Sequence, residues 1–440
     1  MNKVLILGAG LVTKPIVKYL LNLEDIRVTV ASRTVSKAEA LIENHAKGFS
    51  VALDVNNDVE LENIIKENDI IISLLPYTYH VKVAGFCLNY LKHLVTTSYV
   101  SPAMKSLNKE ATEKGLLFLN EIGLDPGIDH MSAMKIIDEV RLKGGKVISF
   151  ESVCGGLPAP EANNNPFGYK FSWSPRGVVM AGRNNAQYLK DGKIVNIEGK
   201  NLFSNYWNKE VDTLGKLEVY PNRDSLIYKE LYGLNDAVTI FRSTFRNLGW
   251  CDTIFNISKM GFLDDTNRSE LTDKTLAEVV CKLIQIEDSK DLKEDVSNYL
   301  NLNSGSDIIR KFEWLGLFSN EIVKSDPTYL DILASRMLEL MRYMPGERDM
   351  IVLQHDFIAE YENNKKEHIT SLLIDFGIPY GDTSMARTVS LPAAIAVKLM
   401  LEKKIKSVGV QIPVIPEIYL PVMEELEAMN IKFKETTKII

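Results

Sequence analysis

Cysteine is scarce in this sequence: four residues in 440, Cys87, Cys154, Cys251 and Cys281, scattered and without CxxC spacing. Such usage excludes a disulfide framework and offers no zinc-ligand pattern, so no metal site is expected. Long apolar runs are lacking as well, since none approaches the ~20 residues that cross a bilayer. The opening Met1-Asn2-Lys3-Val4-Leu5-Ile6 passes from one lysine straight into a strand pattern. It shows neither the apolar segment nor the small-residue cleavage site of a signal peptide. Basic excess is also missing: Lys and Arg number 51 against 58 Asp and Glu, for a net charge of −7. That balance disfavours nucleic acid and anionic membranes as partners. What remains is a chain 45% hydrophobic and 25% charged, the balance of a globular protein. At roughly 100–200 residues per domain it has room for two to four domains. A cytoplasmic, metal-free, multidomain protein is expected.

The first part of the chain alternates apolar runs with helical patterns. Val4–Leu7 is continuously apolar, as a parallel strand covered on both faces must be. Leu11–Asn22 carries a helical stripe at Ile16, Val17, Leu20 and Leu21. Further strands are expected at Val28–Ala31, Phe49–Leu53, Ile70–Leu74, Leu94–Thr97 and Leu116–Leu119. Six strands with crossovers describe a Rossmann-type doubly wound parallel sheet over residues 1–124. From Asp125 the texture changes to a second, α+β domain (125–387). Val147–Val153 reads as a strand leading into a Gly-, Pro- and Asn-rich loop over 155–166, and Ala237–Arg242 as another strand. Residues 264–344 read as a helical insertion. Pro392–Glu402 is expected to be helical, with short strands at Val408–Ile412 and Ile431–Phe433, so that about 388–440 completes the first domain.

Gly8-Ala9-Gly10 falls between the first strand and the first helix, where a dinucleotide fingerprint belongs. There Gly8 allows the tight turn and Gly10 lets backbone approach a pyrophosphate, with Leu11 and Val12 leading into the helix. The third fingerprint position is Thr13. NAD sites carry an acid at the end of the second strand; here Ala31-Ser32-Arg33-Thr34 has none. Arg33 is suited to a 2′-phosphate, with hydroxyl help from Ser32 and Thr34, so NADP is the expected cofactor. Asp54 and Val55 are expected beside the adenine, and Leu75, Pro76 and Tyr77 beside the nicotinamide ribose. In open α/β sheets, ligands sit beyond the carboxyl ends of the strands. Thr97–Ser101, Gly123–His130 and Cys154–Pro158 are expected to converge there.

With Gly8-Ala9-Gly10, Ser32-Arg33-Thr34, Thr97-Ser98-Tyr99-Val100-Ser101 and Gly-Leu-Asp-Pro-Gly-Ile-Asp-His over 123–130, the chain resembles the saccharopine reductases. These are the glutamate-forming saccharopine dehydrogenases of the lysine aminoadipate route. The run Cys154-Gly155-Gly156-Leu157-Pro158-Ala159-Pro160-Glu161, continuing to Asn165-Pro166, is the most specific match. Met385-Ala386-Arg387-Thr388 with Leu391-Pro392-Ala393-Ala394 adds to it. The similarity spans essentially the whole chain, and the family also lacks the third glycine. It implies reversible NADP-dependent oxidation of L-saccharopine to L-glutamate and 2-aminoadipate 6-semialdehyde, in a homodimer. It further implies substrate-binding Ser98, Tyr99, Asp125, Gly155, Gly156, Ser174, Arg223, Thr244 and Arg246. Of these the two arginines are candidate carboxylate clamps. Tyr99, Asp125 and Cys154 stand nearest the chemistry. Several plainer roles stay open: Asp125 as a helix cap, Cys154 as buried filler, His130 as structural, Arg223 paired with Asp224, and Met385–Pro392 as ordinary helix packing. The rival readings are a carboxynorspermidine dehydrogenase-like amine–aldehyde condensation and a silent nucleotide-bound relative.

Overall fold

The structure, a computed structural model, describes residues 1–323 and 328–440; positions 324–327, inside the expected helical insertion, lie outside the described residues. The chain forms two compact units. Unit 1 comprises Met1–Lys146, Tyr361–Lys365 and Gly381–Glu435; unit 2 comprises Val147–Glu360, Lys366–Tyr380 and Thr436–Ile440.

Unit 1 is built on the strands β1 (Asn2–Leu7), β2 (Ile26–Ser32), β3 (Gly48–Ala52), β4 (Ile70–Ser73), β5 (His93–Thr96) and β6 (Leu117–Leu119). Helices α1 (Thr13–Leu21), α2 (Val35–Ile42), α3 (Asp58–Lys66), α4 (His80–Tyr90), α5 (Pro102–Ser106) and α6 (Asn108–Glu113) connect them. All six expected strands form. They lie in the order β6-β5-β4-β1-β2-β3, and strand Gly409–Gln411 adds beside β6. Every pairing in this sheet is parallel. Val4, Leu5, Ile6 and Leu7 of β1 are all fully buried, each removed from water at a gain of about 1.5–3 kcal/mol. That two-faced burial is why the run is uninterrupted by polar residues.

Two differences from the sequence pattern concern boundaries. The sequence puts the change of texture at 125 and the return at 388, whereas unit 1 extends to Lys146 and resumes at Gly381. The reason is α7 (Ile128–Leu142), which buries ten residues and packs against the helix Pro416–Ala428 of the same unit. The expected strand Ile431–Phe433 does not form. Asn430 turns left-handed (φ 65°) after that helix, and the strand comes later, at Lys434–Ile439. Helix Ser384–Leu401 is longer than expected and contains Pro392. It is long and apolar enough to span a bilayer, yet 72% of it is buried within the protein. Met385, Ala386, Thr388 and Leu391 are buried within it and the helix packs on α1, so ordinary packing accounts for this segment.

Unit 2 holds a mixed sheet. Its strands are β7 (Lys146–Pro158), β8 (Ala186–Lys190), β9 (Lys193–Ile197), β10 (Trp207–Val211), β11 (Gly215–Pro221), β12 (Thr239–Arg246), β13 (Asp349–Glu360) and β14 (Lys366–Phe376). The order is β10-β11-β12-β7-β13-β14, closed by Lys434–Ile439, with β8 and β9 branching from β12. β12 runs parallel to β7 and antiparallel to β11. The expected loop from Gly155 starts late, because β7 continues to Pro158. A Cβ on Gly155 would sit 2.7 Å from the backbone oxygen of Phe245, so glycine is what lets β12 approach here. Helices Leu276–Leu283, Leu292–Leu300, Asp307–Trp314 and Tyr329–Leu340 form the helical insertion. They share one core with Phe167, Tyr169 and Trp250.

Candidate functional site

In unit 1 the turn after β1 has the shape of a phosphate cradle. Gly8 adopts φ +112°, and a Cβ there would lie 3.0 Å from the Leu74 carbonyl oxygen. A side chain would therefore break the turn. A Cβ on Gly10, by contrast, meets nothing within 4 Å, so the space over that residue is open. Thr13, fully buried, replaces the third fingerprint glycine. Its Oγ1 accepts from Gly10 N–H at 3.0 Å and donates to Gly8 O at 3.4 Å, tying the turn together. Helix α1 has no side-chain cap and no acid in its first turn, which leaves its N-terminal dipole uncompensated and suited to an anion. Leu11 is 69% exposed and Val12 half-buried beside the cradle.

At the end of β2, Arg33 and Thr34 are exposed and Ser32 half-buried, with Ser32 Oγ accepting from Thr34 N–H at 3.3 Å. No acid stands in this stretch. Asp54 is exposed and binds Asn56 through its backbone and side-chain amides, both at 3.0 Å. Val55 is buried, and its carbonyl accepts from Lys82 Nζ at 2.8 Å. Leu75 is half-buried, while Pro76 and Tyr77 are exposed after β4. The open turn, uncompensated helix end and acid-free β2 terminus fit a dinucleotide carrying a 2′-phosphate.

The loop beyond β5 carries Ser98 and Tyr99, both half-buried. Tyr99 Oη donates to Asp125 Oδ1 at 2.9 Å, so the structure brings these two candidates together. Asp125 does not cap α7: the cap position is Gly127, whose N–H donates to Asp129 Oδ1 at 2.6 Å. His130 is fully buried, with Nε2 2.7 Å from Glu121 Oε2. Glu121 was not foreseen. It is buried, holds φ 56°, and accepts Val100 N–H at 2.8 Å. His80 was also missed. Its ring is buried against the hydroxyls of Ser73, Thr96 and Ser98, and burial pushes its pKa down to about 4.

In unit 2 the register places Cys154, Thr244 and Tyr220 in one row across β7, β12 and β11. Arg246, two residues beyond Thr244, faces the same way. It is only 5% exposed. Its guanidinium carbon lies 5.0 Å from the Tyr169 ring, 5.4 Å from Trp250 and 5.7 Å from Tyr220. Nη1 donates to the Phe245 carbonyl at 2.8 Å, and Nε has no partner among the described residues. Among the described residues no carboxylate pairs with Arg246. Glu218, its buried register partner on β11, gives its oxygens to Gly249 N–H at 2.6 Å and Cys251 N–H at 2.8 Å, so the guanidinium has no bonded counter-ion and suits an incoming acid. Burial raises the phenols of both Tyr169 and Tyr220, against the pull of the Arg246 charge, so the rings around the cation stay neutral. Gly155 and Gly156 lie on β7 beside this row.

Two candidates stand apart from the cage. Ser174 is exposed and caps the helix α8 (Pro175–Ala181), accepting Gly177 N–H at 3.3 Å. Arg223 is exposed in a left-handed turn (φ 58°) after β11, where Asp224 Oδ1 accepts from Leu226 N–H. Sequence reasoning missed the three aromatic residues of the cage. Alternation on β11 puts Tyr220 on the face of Lys216 and Glu218, so it does not flag the ring as buried, and nothing local links Tyr169 and Trp250 to Arg246.

Comparison with known proteins agrees with both halves. The family model "Saccharopine dehydrogenase NADP binding domain" matches residues 4–119, and "Saccharopine dehydrogenase C-terminal domain" matches 123–431. The chain is 41% identical over 444 residues to saccharopine dehydrogenase [NADP(+), L-glutamate-forming] of Schizosaccharomyces pombe, covering 99% of each chain. The enzyme of the same name from Saccharomyces cerevisiae matches equally, at 41% with 99% coverage of each. The structure of apo saccharopine dehydrogenase (L-Glu forming) from Saccharomyces cerevisiae superposes with a TM-score of 0.91 at 40% identity, covering 100% of both chains.

Proposed function

The chain belongs to the saccharopine dehydrogenase family, and from that premise we propose that it oxidises L-saccharopine with NADP and water to L-glutamate, 2-aminoadipate 6-semialdehyde and NADPH, reversibly. The observation that carries this reading is Arg246, a buried cation caged by aromatic rings with an unsatisfied Nε. Saccharopine bears several carboxylates around a secondary amine, and guanidinium binds carboxylate in bidentate fashion. Unit 1 would hold the cofactor through the Gly8–Val12 turn, with Arg33 serving the 2′-phosphate.

The nicotinamide, when bound, supplies hydride acceptance and donation. The protein orients the groups and manages protons. Tyr99 Oη and Asp125, joined at 2.9 Å, are the pair for moving a proton to or from the substrate nitrogen. In the synthetic direction the glutamate amine adds to the aldehyde, water leaves, and the resulting C=N bond is reduced. Within unit 2, Arg246 and Thr244 hold the acid groups in one orientation for that step. Cys154 lies in the same row as buried wall.

Small molecules, rather than nucleic acid or membrane, are its partners on this reading, in keeping with the net charge of −7. Cytoplasmic residence rests on four buried cysteines that form no disulfide among the described residues. A homodimer rests on the family resemblance, and light scattering of the purified protein measures it. The decisive assay mixes protein, NADP and saccharopine and follows the reduced-nicotinamide absorbance. Growth of that band supports the reading; a silent mixture, with turnover of carboxynorspermidine instead, overturns it.

A further inference from the structure

We propose that His80 is a positioning residue of this reaction, fixing the Ser98 hydroxyl beyond the carboxyl end of β5. The inference rests on the reading above, in which Ser98 meets the amino-acid substrate. His80 opens α4 and is 4% exposed. Its Nδ1 lies 2.9 Å from Ser73 Oγ, at the last residue of β4. Its Nε2 lies 3.1 Å from Thr96 Oγ1, at the last residue of β5, and 2.9 Å from Ser98 Oγ in the loop beyond. Ser73 and Thr96 are register partners, so the ring spans two adjacent strand ends and reaches the loop that follows. Ser98 N–H donates back to Thr96 Oγ1 at 3.3 Å, closing the network.

Three hydroxyls, and no carboxylate among the described residues, surround the imidazole. Burial holds its pKa near about 4, so the ring stays neutral where the enzyme works and presents one donor and one acceptor nitrogen. That makes it a poor proton carrier and a good fixed bracket. The same loop is gripped from its other side. Glu121 N–H donates to the Ser98 carbonyl at 3.1 Å, and the Glu121 carboxylate accepts Val100 N–H at 2.8 Å. Glu121 keeps a left-handed φ of 56° while doing so, a conformation costly for a residue with a Cβ and retained where the surroundings require it. A segment held on both sides is the support that a half-buried hydroxyl needs to meet a ligand in one orientation.

The test uses three variants of the full chain. In His80→Gln the amide can stand near the position of Nε2; His80→Asn is too short to reach Ser98, and His80→Leu removes the polar atoms. We expect His80→Leu and His80→Asn to lower kcat/KM for saccharopine about 10- to 30-fold, the size of one lost hydrogen bond to a bound ligand's partner. The KM for NADP should stay within about twofold. His80→Gln should recover most of the loss, and its pH–rate profile should keep the wild-type limbs. Placed on Ser98→Ala, His80→Asn should add no further loss, because it acts through that hydroxyl. Active wild type with unchanged His80→Leu kinetics overturns the positioning role alone. So does an equal loss towards both ligands that tracks a lowered melting temperature, or full additivity with Ser98→Ala. Wild type that fails to turn saccharopine over overturns the reading and the positioning role together.

Discussion

On the proposed reading the two units bind their ligands by opposite means. Unit 1 offers backbone: a glycine turn, an uncapped helix end and short polar side chains on an all-parallel sheet. Unit 2 offers a buried charge, with Arg246 inside an aromatic cage on a mixed sheet. A backbone cradle costs little to maintain when empty, since its amides and dipole suit water as well as phosphate. A buried cation with an unsatisfied Nε is held at a cost in stability, and that cost is recovered when a carboxylate arrives. On that reading the contrast divides affinity for a shared cofactor from selectivity for one substrate.

The largest effect should come from removing the charge. Arg246→Met is expected to lower kcat/KM for saccharopine by about 10³-fold, the scale of a desolvated charge pair losing one partner. The KM for NADP should hardly change, and the melting temperature should hold or rise because an uncompensated buried charge has gone. Steady-state kinetics beside a thermal melt reads both. Equal losses towards NADP and saccharopine would erase the distinction between the units.

Acid should strike through unit 1. Burial lowers the His80 pKa from 6.5 to about 4, so folding favours its neutral form. That contribution is complete above pH 6.5 and is lost as pH falls towards 4, because the unfolded chain then binds the extra proton. The loss is on the order of 3 kcal/mol. Denaturant titrations between about pH 7 and pH 4.5 should show His80→Gln losing less stability than wild type. Parallel pH dependences in the two proteins would contradict the assignment.

The smallest of the three effects concerns the choice of cofactor. Arg33→Ala should raise the KM for NADP about 10- to 50-fold while leaving that for NAD nearly unchanged, as expected for an exposed charge-assisted contact to one phosphate. Matching changes for both cofactors would remove Arg33 from the 2′-phosphate.

What could be read beforehand follows the same division. Parallel strands buried on both faces write themselves as apolar runs, so β1 to β6 of the first sheet were legible, as was the Gly8–Gly10 turn between β1 and α1. The continuation of β7 through Gly155-Gly156-Leu157-Pro158 was not, because those residues favour loops and only the approach of Phe245 explains the glycine. Arg246 came from a family resemblance; its cage joins Tyr169, Tyr220 and Trp250 from distant parts of the chain, and no local pattern announces such a union. Asp125 could be foreseen as functional or as a cap; the structure gives the cap position to Gly127 and joins Asp125 to the Tyr99 hydroxyl at 2.9 Å. His80 and Glu121 were invisible for a related reason. Each is an ordinary polar residue near a strand end whose significance lies in partners supplied by other loops.

A crystal structure of the protein with NADP and saccharopine tests the account most directly. It should show the pyrophosphate on the Gly8–Val12 turn and a saccharopine carboxylate on Arg246, with Nε now hydrogen-bonded. Arg246 still facing only aromatic rings, with the carboxylates of saccharopine bound by other residues, would contradict it.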